Sequence, residues 1–326
     1  MNWIDIRQLD DQQWEQYFHW HKMITRRFFP REYVNTWTAF RDRRLANLSA
    51  LDSEEFLIYE DQIPIAWLRN SWTGSLWECA FNSHLSIPSE ECVLEIRQKL
   101  EAFGAARKLD FCFFESGEST ISAWMDALGA QKLHERSYYE WIRETADFPV
   151  IEGWVNQFQT CNPDISLKIW ENRPDEILDQ YIELYDAVCR DIPLDYPDAQ
   201  PAQSWPKEAL IQLSRSNEET EVTVLTASLQ DASGQWLGLS DLNIHTQFPK
   251  RLYQGMTGVH AAHRGNRWGR WMKWALILEA KKRYPKFQLI ESDCHAQNAY
   301  VQRMNESMGF VQTGTGAKWR WDRDGA

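Results

Sequence analysis

The chain has 326 residues, 43% hydrophobic and 13% aromatic, with 18 tryptophans; a disordered chain lacks that much apolar surface, and the length fits two domains of roughly 100–200 residues. Against 47 Asp and Glu stand 35 Lys and Arg, a formal net charge of −12. That charge repels nucleic acid and anionic membrane at long range, so neither is an expected partner.

The opening Met1-Asn2-Trp3-Ile4-Asp5-Ile6 lacks the basic region and apolar run of a signal peptide. No stretch approaches the ~18 uncharged apolar residues of a membrane span. The six cysteines are widely spaced and form no CxxC pair, which suits reduced thiols. A cytoplasmic monomer or homodimer is expected.

Two halves repeat one order of elements. A strand-like run opens each, Trp3 to Leu9 and Ser166 to Trp170, and an amphipathic helical stretch follows, Gln12–Thr25 and Glu176–Arg190. Three β-type runs come next: Glu55–Tyr59, Ile63–Leu68 and Leu76–Phe81, against Glu221–Leu229, Gln235–Ile244 and Arg251–Val259. Each half then has a helix (Glu91–Lys108; Trp268–Arg283) and an apolar strand (Asp110–Glu115; Phe287–Ser292). A last helix closes near Gly129 and Gly309. The expected fold is α/β (α+β), with two halves in tandem around a mixed sheet. The expected bounds are 1–144 and 162–326, joined by a linker at 145–161.

The most informative segment runs from Thr257 to Lys273. A strand ends at Val259, a polar loop carries Arg264, Gly265, Asn266 and Arg267, and a helix begins near Trp268, Gly269 and Arg270. Strand, loop and helix N-terminus together aim free backbone N–H groups at one point, which suits a phosphate. Between residues 247 and 286 there are ten Lys or Arg and one acid, Glu279. The island carries +9, so the remainder of the −12 chain carries −21. A basic spot in an acidic chain suits a small polyanion.

Val259 to Gly269 resembles the acetyl-coenzyme A loop of the GNAT acyltransferases, whose pattern is Arg/Gln-x-x-Gly-x-Gly/Ala after a strand. Arg264 and Gly269 match its ends, and Arg267 stands at the usual middle Gly. The resemblance extends through Phe287–Ser292, the Gln297-Asn298-Ala299 turn and the closing Met308-Gly309-Phe310, over roughly 166–322. The tandem arrangement and the phrase from Val301 to Phe310 look most like two-domain members related to mycothiol synthase. It implies acetyl-coenzyme A as co-substrate, held by Val259, Arg264 to Arg270 and Asn298, with no metal. For each half the resemblance implies a mixed, mostly antiparallel twisted sheet flanked by helices. It also implies a V-shaped gap between the strands at 252–259 and 287–292, with Gly255 and Gly258 fitting a bulged, splaying strand.

Acyl transfer to an amine needs a place for the amine's proton and a group facing the leaving thiolate. Many family members carry a Tyr five residues before the closing Phe; here it is Asn305, a hydrogen-bond donor without a labile proton. Tyr300, one turn earlier, is the alternative acid. Asp241, Glu291 and Asp293 are the candidate bases. His260, His263 and the distant Cys294-His295 have ligand types for zinc, but the resemblance puts His260 and His263 beside the phosphate loop, where positioning of backbone is expected instead. The tryptophans at 268, 271 and 274 are expected to pack on the sheet.

In the first half the stretch Phe81–Glu91 has neither glycine nor arginine and ends in two acids. That half is expected to keep the fold without the phosphate loop. The implied function is an N-acyltransferase that moves an acetyl group to a small-molecule amine by direct transfer in the C-terminal half. The alternatives are a non-catalytic acyl-coenzyme A sensor and an aminoacyl or peptidyl transferase.

Overall fold

A computed structural model describes residues 2–28, 37–50, 52–60, 63–73, 76–83, 88–116, 119–190, 207, 210–211, 222–245 and 249–323. These residues form two compact units, one of 1–136 with 314–326 and one of 137–313.

In the first unit five strands come from the N-terminal part of the chain: β1 (Asn2–Asp5), β2 (Asp52–Glu60), β3 (Ile63–Thr73), β4 (Leu76–Ser83) and β5 (Phe111–Ser116). Their order across the sheet is β1-β2-β3-β4-β5, and β12 (Val311–Asp322) follows β5. All neighbours are antiparallel except β4 and β5. A parallel pair needs a crossover, and the Glu90–Arg107 helix supplies it. Ser89 starts that helix by accepting from the Cys92 amide at 3.2 Å, and Glu90 and Glu91 sit at its positive end. Adjacent residues of β2 go to opposite faces, as strand geometry dictates. Leu57 and Tyr59 join a cluster with Trp14, Tyr17 and Phe40, while Ile58 joins Trp77, Ile96, Leu100 and Trp124.

The second unit has β7 (Ser166–Glu171), β8 (Val222–Gln230), β9 (Trp236–His245), β10 (Arg251–Val259) and β11 (Leu289–His295). β6 (Gln131–Ile142), which enters this unit at Ser137, lies beside β11, giving the order β6-β11-β10-β9-β8-β7. β10 and β11 are parallel, and the Trp268–Arg283 helix joins them. That helix buries Trp271, Met272, Leu276 and Ile277 in the core with Leu225 and Leu242. The tryptophans at 268, 271 and 274 are all buried, in keeping with the packing role expected of them. The Leu178–Cys189 helix buries Tyr181, Leu184 and Val188 with Trp236 and Leu239 in a separate cluster.

The unit bounds differ from those expected from sequence. The stretch 145–161 was expected to be a linker; residues 148–161 instead form a helix, capped by Asp147 on the Val150 amide, whose Trp154 and Phe158 pack toward Trp271. The final strand, expected in the second domain, joins the first unit from Gly314 onward. Its Trp319 and Trp321 are buried there, with Trp321 against Trp77. In return, Tyr139 and Trp141 of β6 are buried in the second unit, where Trp141 Nε1 donates to the Met308 carbonyl at 3.1 Å. Alternation specifies a strand and its buried face, but not which of two similar sheets it joins.

Candidate functional site

Strands β10 and β11 pair only at Arg251–Leu289, Leu252–Ile290 and Tyr253–Glu291, although both run on beyond. The β9–β10 register shifts between Gln254 and Thr257, marking a bulge at Gly255 and Met256. A bulge bends its strand away from a neighbour, so the gap expected between these strands opens past Tyr253. Gly258 is required by close approach: a Cβ there would lie 2.3 Å from a Val188 methyl.

Beyond Val259 the loop tightens into a 3-10 turn, with His263 N donating to the His260 carbonyl and Arg264 N to that of Ala261. Gly265 follows at φ +87°, with open space where a side chain would be. Arg267 has φ +59° and begins the helix without a side-chain cap. The amides of Trp268, Gly269 and Arg270 therefore have no intrahelical acceptor and lie at the positive end of the dipole. Gly269 packs closely: a Cβ there would meet Met304 Sδ at 3.1 Å. Arg267 is exposed. Arg270 lies over Trp154, and its Nε is buried without a partner among the described residues. Burial, together with the Arg267 charge, lowers the Arg270 pKa. Two mutually repelling guanidiniums thus stand with three open N–H groups, a combination whose charge suits an anion.

Other expected loop residues are engaged locally. Arg264 Nε donates to the Val259 carbonyl at 3.1 Å, and Asn266 donates to the His263 carbonyl at 3.0 Å. Asn298 caps the Ala299–Ser307 helix, its Oδ1 accepting from the Val301 amide at 3.2 Å. His260 accepts from the Ala262 amide and His263 stacks on Trp268, so both position backbone and ring. Among the described residues no cluster of three or more His, Cys, Asp or Glu is placed to hold a metal ion.

At the bulge lies a pocket of about 150 Å³ lined by Arg173, Tyr181, Asp241, Gly255 and Met256 among others. Asp241 is 2% exposed and accepts from Thr226 Oγ1 at 2.6 Å, Tyr181 Oη at 2.7 Å and Arg173 Nη2 at 3.0 Å. Both carboxylate oxygens are taken by these three donors, which ties Asp241 to Arg173 and Tyr181. Glu291 pairs with Arg251, and Asp293 accepts from the Tyr253 hydroxyl. Neither acid lines the pocket. Tyr300 is 82% exposed.

Asn305 is fully buried, and Lys273 Nζ donates to its Oδ1 at 2.6 Å. Burial pushes the Lys273 pKa down to about 7, opposed by Cys294, and its ammonium lies 4.5 Å from the Phe310 ring centre. Sequence reasoning missed both Lys273 and Arg173. Lys273 had a readable sign, being the one polar residue between Trp271 and Ile277. Arg173 had none: a lone arginine before a proline carries no pattern.

No family model and no curated protein matches the chain. Among solved structures, a tandem GNAT protein from the clavulanic acid biosynthesis pathway, determined without acetyl-coenzyme A, is similar over 100% of this chain and 99% of its own, with TM-score 0.72 and 14% identity. A GCN5-related N-acetyltransferase from Sphaerobacter thermophilus is similar over 88% of this chain and 87% of its own, with TM-score 0.61 and 11% identity. These are likenesses of fold: the chain has the tandem GNAT architecture along its whole length.

Proposed function

We propose that the chain is an N-acyltransferase moving an acetyl group from acetyl-coenzyme A to the amine of a small-molecule acceptor, by direct transfer in the C-terminal unit. One observation carries the reading. A single strand, β10, leads from a bulge with a pocket to a helix N-terminus where Arg267 and Arg270 have no salt-bridge partner among the described residues.

The residues present fit the co-substrate. Three open amides, Arg267 and Arg270 suit a pyrophosphate, and the open space at Gly265 lets it approach the backbone. The β10 edge past Tyr253 is free of β11 and suits an extended amide-bearing arm. The co-substrate, when bound, supplies an activated thioester. Lys273 holds the Asn305 side-chain oxygen, which leaves the Asn305 amide NH2, without a partner among the described residues, as the donor read for a leaving thiolate; Lys273 itself gains and loses its proton near neutral pH. The first unit is read as a scaffold without a phosphate loop. The tandem arrangement and the 301–310 phrase support a relation to two-domain members related to mycothiol synthase. The thiol form of the six cysteines supports a cytoplasmic setting.

A sensor that binds acyl-coenzyme A without turnover is the second reading, favoured by the full burial of Asn305. Aminoacyl or peptidyl transfer is opposed by the −21 carried outside the basic island. A thiol-release assay with acetyl-coenzyme A and a panel of small amines separates them. Thiol release that depends on an amine is the expected result; binding without turnover across the panel would favour the sensor.

A further inference from the structure

In the pocket beside the β10 bulge, the donors around Asp241 outnumber its oxygens. Asp241 offers two oxygens, and three donors already share them: Thr226, Tyr181 and Arg173. The Arg173 guanidinium has five N–H bonds. One nitrogen, Nη2, reaches Asp241, and Nε is buried with no partner among the described residues, although the residue is only 9% exposed. A buried guanidinium N–H without an acceptor is costly, and a ligand oxygen would relieve it.

The backbone adds a second observation. Asn172 and Arg173 are consecutive non-glycine residues in the left-handed region, at φ +53° and +46°. Asn tolerates that conformation and is held there by Val224, whose amide donates to its side chain at 3.0 Å while its carbonyl accepts from the Asn172 amide at 2.8 Å. Arg173 gains nothing locally from it. The turn holds the guanidinium over the Tyr181 ring, 4.7 Å from its centre, and against Asp241. Strain of this kind persists where surrounding structure imposes it, and it clusters at ligand sites. The lining also includes the apolar side chains of Ile182, Leu210 and Met256.

We propose that this pocket recognises the carboxylate of its occupant through Arg173, so that the acceptor is a small α-amino acid with an apolar side chain rather than a simple amine. The carboxylate pairs with the Arg173 guanidinium, of which only Nη2 is engaged by Asp241, and the side chain lies against Ile182, Leu210 and Met256. The assignment of the occupant as an acceptor rests on the acyltransferase reading; the carboxylate preference rests on the pocket alone. Asp241 and Tyr181 then act as positioning residues for Arg173.

The test is equilibrium binding to the whole unmodified chain, comparing leucine, methionine and phenylalanine with their decarboxylated amines. At least one amino acid is expected to bind about tenfold or more tightly than its amine, the size of a charge-assisted contact. Arg173→Lys should keep part of that preference and Arg173→Met should abolish it. The double variant Arg173→Met/Asp241→Leu avoids leaving a buried carboxylate unpaired. Amines that bind as tightly as amino acids, or no binding by any of the three amino acids, would overturn the proposal. Coenzyme A titrated into the same samples separates the two failures. If it still binds, only the carboxylate assignment falls; if it does not, the acyltransferase reading falls.

Discussion

Gly265→Glu is expected to remove coenzyme A binding while the chain stays folded. Gly265 lies at φ +87°, and a Cβ added there would have no atom within 4 Å, so the cost to the fold is backbone strain of roughly 1–2 kcal/mol. Domains are stable by about 5–15 kcal/mol, and the fold survives that loss. Binding does not survive it, because a carboxylate then stands among the N–H groups that would face phosphates. A loss of ~100-fold or more, about 2.8 kcal/mol, is expected by calorimetry. Gly265→Ala carries the strain without the charge and should lose far less. Equal affinity in Gly265→Glu and the unmodified chain would mean that the loop does not hold the anion.

Lys273→Met is expected to change the pH dependence of stability. The folded pKa of Lys273 is lowered to about 7 from 10.5 by burial. Between those values the unfolded chain binds the proton and the folded chain does not, so this group makes stability rise with pH. The limit is roughly 1.4 kcal/mol per pH unit, or a few kcal/mol over the window. Above pH ~10 the tyrosines and thiols whose pKa values burial raises act in the opposite direction. The difference between unmodified and Lys273→Met chains isolates the lysine. Urea unfolding across the window should show a flatter profile for the variant, and parallel profiles would show that Lys273 keeps its proton when folded.

What the sequence disclosed depended on whether the governing contacts were local. The β-runs leading to Val259, the loop and the Trp268–Arg283 helix were legible because period-two alternation, glycines and clustered arginines lie next to one another in the chain. The gap between β10 and β11 followed from the resemblance and from Gly255. The exchange of β6 and β12 was not legible, since Trp141 and Trp321 are equally apolar and only the three-dimensional cores distinguish them. The helices at Trp37–Ala50 and Phe148–Cys161 were also missed; the first has weak amphipathic order and the second opens with a proline near its start. Asp241 was found as a carboxylate on a strand, but its partners lie 15, 60 and 68 residues away, so its anchoring role was invisible. The same distance hid the bond between Lys273 and Asn305, 32 residues apart.

Under the proposed function, one unit of the two carries the acyl-donor site. In the first unit the Leu76–Ser83 strand leads to a helix whose first turn holds Glu90 and Glu91, where the second unit presents open amides with Arg267 and Arg270. Calorimetric titration of coenzyme A into the whole chain measures this directly. A stoichiometry of one per chain is the expected result, and a stoichiometry of two, or no binding, would contradict it.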